Sequence, residues 1–568
     1  MRPMLLAGVA LAAIVVGPAA VADATADRVV RDLIENPSIC GDPNRPYDVV
    51  TGAPVADMVM VPGIGTDHMA VDANAEAQAW FDYGIQLRWA FQHTESVRAF
   101  QKARLLDPSC GMCAWGEAWA MGPNLNGSGT ADEVDPAALK IARDARRLAR
   151  DASLQQRRMI DGLLQRYSGR RASRPDRFAR VMDRLARDNP DDVNLAAIAA
   201  DAWMLKAEDW WNKDGTPKDP GIARAMTILE AALARAPDDP GAIHLYIHLT
   251  EWSADPHKAI PYGERLAELA PGASHLVHMP SHTFFRVGRY RDAMMSNVAA
   301  VALDRQYDGQ AFPPGGVPGM PLHGHNIHFG MGGALMAGGA EEGLKLADWF
   351  LTVFADIPAD NLWRQITAND AYALYGRFGT QAQVEALEEP SVANPLQRVS
   401  WRYGRGEAAS RRGDAAAVRA EIAAIRAIRG TPAFATGPRA EARASFSELF
   451  QRVLEGRAAM IEGNTEAAIA AFTRAAALQA EGGDEGGDPP AIWYPTRRSL
   501  AAAMLAGGDA AGAKAKVEEL LKDWPNDPYS YFVLSEAETA LGNEAAAAEA
   551  LRHARVEWMG GEMSLAEA

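Results

Sequence analysis

The chain has 568 residues, 48% of them hydrophobic and 8% aromatic, which is ordinary for a folded protein and excludes global disorder. Its length exceeds one usual domain, so several domains or one long repeat array are expected. With 57 basic and 73 acidic residues the formal net charge is −16, and an acidic surface repels phosphate backbones, so nucleic acid is a poor partner.

The N-terminal stretch MRPMLLAGVALAAIVVGPAAVADA carries Arg2, an apolar run from Leu5 to Val16 and small residues at Ala20-Val21-Ala22. It predicts a secretory signal over residues 1–22 with an A-x-A cleavage site, too short to span a membrane. No later segment reaches membrane-helix length, so the mature chain is expected in a periplasm or outside the cell. Loss of Arg2 leaves 56 positive against 73 negative charges, a net −17. Residues 23–70 read as a poorly periodic segment. The lone GIG at Gly63–Gly65 lacks a flanking strand and helix and receives no nucleotide meaning.

Repeats begin near residue 71 and are expected to run to 480. FQHTESVRAFQKARLLDP (Phe91–Pro108) has the form of the second half of a helix-turn-helix unit. CGMCAW follows. Three cysteines are present, Cys40, Cys110 and Cys113, and in an oxidising compartment two should pair. The sequence does not choose Cys40–Cys110 over Cys110–Cys113. A c-type haem site is ruled out because Ala114, not histidine, follows Cys113, and a thioredoxin-like motif needs a βαβ context that is absent.

Landmarks then recur every 34 residues: Pro237 and Pro271, and later Gly508 and Gly542. GRYRDAMMSN, GNTEAAIAAFTRAAAL and GNEAAAAEALRHA each show a turn followed by small residues at helical spacing. The pattern resembles tetratricopeptide repeats and implies an all-α helical solenoid, in which each helix pair buries its apolar face only by stacking on its neighbours. QYDGQAFPPGGVPGMP (Gln306–Pro321) reads as a Pro/Gly-rich insertion. The acidic loop EGGDEGGDPP (481–490) separates a C-terminal set of repeats, 491–568.

Nine of the twelve histidines lie between His244 and His328, eight of them in HLYIHLTE, HLVHMPSH and HGHNIHF. His244 to His278 and His248 to His282 are both 34 residues, so one His-x-x-x-His pair recurs in consecutive repeats. Residues four apart share a helix face, so the pairs are expected to meet across one groove. His275 widens that face, and His325 and His328 of the third segment are expected to close it. Pro280 removes a hydrogen bond inside the second segment, and a kink is expected there. His257, His323 and His553 are expected to be bystanders.

Packed as neutral side chains, seven clustered histidines would each need a polar partner. One transition metal satisfies several at once, and imidazole suits copper and iron, favoured here, with zinc as a further choice. The expected ligands are therefore His244, His248, His275, His278, His282, His325 and His328. Glu251, three residues after His248, is the expected carboxylate ligand or general base, and Tyr246 the other catalytic candidate. Met279 reads as packing. Metal binding is expected to fade below about pH 6, where free imidazoles take up protons.

The segments HLYIH, HLVHMPSH and HGHNIHF resemble a family of exported bacterial tetratricopeptide-repeat proteins, mostly lacking an assigned activity. The likeness covers residues 76–330 and about 455–550. This chain departs from the family pattern at Leu245 and Gly324, neither a histidine. WAFQHTESVRAF and DPSCGMCAWGEAWAMGPN are also similar to family segments, which implies His93 and Glu95 as further site members; the stretch around Trp493 reads as packing.

Two functions fit. One is a metal-handling protein or metal-dependent enzyme, an oxidoreductase with iron or copper or a hydrolase with zinc. The other is a scaffold that takes a protein or peptide in its concave groove. G-x-S-x-G, Walker A and H-E-x-x-H motifs do not occur.

Overall fold

A computed structural model describes residues 46–568 except 128–129, 356, 358–360, 437–438 and 482–489. The expected signal sequence, Cys40 and most of the 481–490 loop lie outside the described residues. From Ala75 to Glu557 helix follows helix, and among the described residues the β structure amounts to one isolated bridge, Trp211 to Pro217. The all-α repeat expectation holds. No described helix is long and apolar enough to cross a membrane.

The helices come as antiparallel hairpins. Ala75–Trp89 turns into His93–Leu106, Pro240–Thr250 is followed by Ile260–Leu269, and His323–Ala337 turns into Ala340–Val353. Local chemistry sets where many begin. In the Asp239-Pro240 and Asp527-Pro528 pairs the aspartate side chain accepts from the amide of Ala242 or Ser530. The proline, lacking an amide hydrogen, fills a first-turn position where none is needed.

Pro280 acts as the sequence suggests. Ser274–His278 and Pro280–Val287 are separate helical segments joined through Met279, which keeps right-handed helical angles (φ −52°, ψ −38°). The hydrogen-bond ladder breaks while the chain direction is kept, so His278 and His282 stay on one face. The expected Gln306–Pro321 insertion is partly helix instead. Tyr290–Ala311, 22 residues long, runs into its first six residues and stops where Phe312 turns left-handed at φ +47°. Its apolar and small residues pack on neighbouring helices, which overrides the local glycine.

His323–Ala337 approaches Tyr290–Ala311 closely through glycines. A Cβ at Gly333 would lie 2.8 Å from the amide nitrogen of Met294, and one at Gly330 would lie 3.1 Å from the Cβ of Asn297. The apolar core divides into two large clusters, one spanning Met58 to Met320 and another Phe284 to Trp524. The histidine-bearing helices lie where one cluster gives way to the other.

Cys110 pairs with Cys113, which settles the choice the sequence left open. Cys110 also caps Gly111–Ala120, and both cysteines are buried in the core. That placement fits a staple rather than an exposed redox pair.

Candidate metal centre

Three successive elements bring six histidines together. His244 and His248 come from Pro240–Thr250, His275, His278 and His282 from the two segments around Met279, and His325 from His323–Ala337. His244, His275, His278 and His282 are fully buried, and His325 is partly exposed.

They form two adjoining triads. In His244, His248 and His275, and again in His278, His282 and His325, one ligand atom from each residue lies within 4.8 Å of the others. A third grouping, His248, Glu251 and His282, joins the two. Each triad carries a phenylalanine. Phe91 lies against His244, His248 and His275 with ring centroids 4.2–5.4 Å apart. Phe329 lies 4.6–5.0 Å from His278, His282 and His325. Phe91 holds a left-handed backbone, φ +53°, unusual for a bulky residue. Its strain is offset by this packing against three rings.

The outer nitrogens have fixed partners. His244 Nδ1 meets the carbonyl of Trp89, and His282 Nδ1 lies 3.0 Å from Glu251 Oε2. His278 Nδ1 lies 2.6 Å from Asn297 Oδ1, an oxygen oriented because Asn297 Nδ2 donates to the Ala293 carbonyl at 2.7 Å. Carbonyl and carboxylate oxygens only accept, so all three histidines carry their hydrogen on Nδ1 and turn an unprotonated Nε2 inward. Metal-binding histidines are oriented in this way, by a hydrogen bond from the other ring nitrogen.

The inward nitrogens crowd together. Nε2 of His278 faces Nε2 of His282 at 2.9 Å. His244 Nε2 and both ring nitrogens of His275 are buried without a hydrogen-bond partner. Burial lowers the pKa of His244 to about 3, with His282 and Arg88 pushing the same way. Burial, then the neighbouring His244, His278, His248 and His325, also holds His275 well below the usual histidine range. These imidazoles stay neutral and basic. Inside the intact fold, protons compete poorly for His244 and His275.

Other expected members lie elsewhere. His328 is fully buried but outside both triads, with Nε2 3.3 Å from Asp370 Oδ2 on the next first-position helix, Leu362–Phe378. Three residues past His325 it has turned toward that neighbour instead of the groove. His93 borders the first triad and is engaged by Arg88, whose Nη1 lies 2.7 Å from Nδ1. Burial, then Arg88 and His244, lowers its pKa. Glu95 is taken up by Arg98, at 2.6 Å, and by the hydroxyl of Tyr307. Tyr246, two residues from His244, faces the opposite side of its helix, where it donates to Glu230 at 3.3 Å and packs on Tyr262. That corrects its catalytic reading. Glu251 does reach the centre, buried between His282 and Arg286, whose Nε is 3.6 Å from Oε1.

The three expected bystanders belong to none of these groupings. His257 is exposed, His553 stacks on Tyr531 near the surface, and His323 is held between Asp304 and Trp349. Met279 is buried in the core. Sequence reading missed Phe91, Asn297 and the Trp89 carbonyl. Asn297 and a backbone oxygen leave no periodic signal, while Phe91 stood two residues from His93 in a segment already singled out.

No family model matches the chain, and no curated protein matches it. Solved structures that match include the TPR domain of P58(IPK), at 14% identity over 82% of this chain and 99% of that one, with a TM-score of 0.22. The human IFIT1 dimer with m7Gppp-AAAA matches at 12% identity over 85% and 95%, with a TM-score of 0.30. The APC/C hetero-tetramer Cut9-Hcn1 matches at 11% over 84% and 96%, with a TM-score of 0.22. At such identities and scores no ligand, partner or activity passes from those proteins to this one.

Proposed function

We propose that this is an exported helical-repeat protein whose six histidines hold transition-metal ions in two adjoining three-histidine sites, with Glu251 between them. The observation that carries the reading is the pair of inward Nε2 atoms of His278 and His282, 2.9 Å apart with both Nδ1 atoms already committed. Two nitrogens bound at right angles to an ion at about 2.0–2.1 Å would stand about 2.9 Å apart. A single proton shared there would still leave His244 and His275 unsatisfied, whereas metal in both triads uses every inward nitrogen.

Neutral imidazole sets suit copper and iron, with zinc a third choice. Bound iron or copper supplies oxygen or electron-transfer chemistry, and bound zinc supplies an activated water. The chain's own contribution is to hold His244, His278 and His282 in one tautomer, screen the two triads with Phe91 and Phe329, and keep Glu251 beside His282. There it is placed to hold or move a proton at His282 Nδ1.

The test is metal stoichiometry after equilibrium dialysis. His248→Ala and His282→Ala, which remove the residues shared between groupings, should lose most bound metal, and His553→Ala should keep all of it. Full metal in the first two variants with loss in the third would place the site elsewhere.

A second reading, a peptide-binding scaffold, has its own observation. Residues 566–568 are gripped from several helices: Arg457 Nη1 donates to the carbonyls of Ala566 and Ala568, Arg377 Nη1 to that of Glu567, and Tyr529 to the Glu567 carboxylate. These repeats can therefore hold a short helical turn of chain by its backbone carbonyls. A parent protein that takes up no metal would favour this reading.

A further inference from the structure

His328 is the one expected ligand the centre leaves out, and its surroundings contain a charge without a counter-charge. Arg364 lies in the first turn of Leu362–Phe378, partly buried, with its guanidinium stacked on Phe354 at 3.7 Å from the ring centroid. No acidic group influences it among the described residues, and burial alone brings its pKa down to about 10. The guanidinium occupies the space where position 324 would otherwise carry a side chain, since a Cβ there would lie 1.3 Å from Nη1.

Gly324 is in the first turn of His323–Ala337, a 15-residue helix whose N-cap residue, Leu322, supplies no side-chain hydrogen bond. The N-terminal end of a helix carries partial positive charge, so it welcomes anions and disfavours cations. An uncompensated guanidinium set on that end concentrates positive charge at one spot. One turn further, His328 is fully buried; its Nε2 faces Asp370 Oδ2 at 3.3 Å, and its Nδ1 makes no hydrogen bond. Helical side chains lean toward the N-terminus, which aims His328 at the turn that Arg364 covers. Asp370 is directed at His328 Nε2, at 3.3 Å, and exerts no charge effect on Arg364. Trp363, 38% exposed and 5.1 Å from the His328 ring, adds an apolar wall.

We propose that Arg364, His328 and the Gly324 amide in the first turn of His323–Ala337 form a subsite for an oxyanion, carboxylate or phosphate, beside His325. A guanidinium binds either group through paired charge-assisted hydrogen bonds. The subsite rests on the metal-centre reading only in taking the anion to be part of the substrate; anion binding itself stands without it.

The experiment titrates inorganic phosphate and, separately, malonate into chelator-treated protein, read by tryptophan fluorescence and thermal midpoint. The parent should bind at least one of the two saturably, and which one assigns the group. Arg364→Gln should weaken binding on the order of tenfold or more, the loss of one charge-assisted contact, while Arg364→Lys keeps part of it. Should Arg364→Gln fail to fold, Gly324→Ala, which displaces the guanidinium, gives the same reading. No binding of either anion by the parent, or equal binding by parent, Arg364→Gln and Gly324→Ala, overturns the proposal. His248→Ala separates the two readings, because it should lose metal and keep the anion. Anion binding in a parent that never takes metal would sink the metal centre and leave the subsite.

Discussion

Two stretches of the array share one architecture and treat buried polarity in opposite ways. In the C-terminal repeats, Arg498 of Arg497–Ala506 is fully buried; its Nη1 donates to Asp527 at 2.7 Å, and its Nε and Nη2, which make no hydrogen bond, lie among the rings of Trp493, Tyr494 and Tyr529. In the histidine-bearing repeats six imidazoles share one carboxylate, Glu251, and His244 and His275 keep buried nitrogens with no hydrogen bond. In the C-terminal repeats the buried charge meets a carboxylate and ring faces of the chain itself, whereas the nitrogens of His244 and His275 are those the proposed metal ions would satisfy.

The contrast can be broken most forcefully from the C-terminal side. Arg498→Met strands the Asp527 carboxylate in the core and should cost about 3–5 kcal/mol by denaturant unfolding, with metal content unchanged. A loss of metal in that variant would tie the two regions together.

Acid should act on the histidine side. In metal-stripped protein, burial holds His244 near pKa 3, whereas the unfolded chain titrates near 6.5. Between those values the unfolded state binds a proton that the folded state refuses, so stability falls as pH drops below about 6.5. At pH 5 this amounts to about 2 kcal/mol relative to pH 7.5. His244→Phe should flatten the slope between two denaturation curves at those pH values; an unaltered slope would contradict the assignment.

His275→Leu should be neutral or raise stability by about 1 kcal/mol in stripped protein, because two unsatisfied nitrogens are removed. In metal-loaded protein the same change should lower both metal content and melting temperature. The smallest effect belongs to Tyr246→Phe, within about 0.5 kcal/mol and without change in metal, since its hydroxyl faces Glu230.

Much of this was legible before any coordinates. The 34-residue spacing of Pro237 and Pro271 marks stacked hairpins, and the same spacing from His244 to His278 and from His248 to His282 puts both pairs on one seam. That argument fails at His328, because the insertion before the third segment shifts the phase of its helix. His325 faces the groove, and His328, nearly a full turn on, reaches Asp370. It fails again at Tyr246, where closeness in sequence to His244 means opposite faces of a helix. The oriented Asn297 amide and the Trp89 carbonyl were out of reach, since both act through tertiary contacts with no pattern in the chain.

The central claim is tested most directly by the metal content of the parent protein, dialysed to equilibrium against copper, iron or zinc and then counted per chain by elemental analysis. The account predicts about two ions per chain for at least one of these metals, one in each histidine triad. A parent chain that holds none of the three would contradict it.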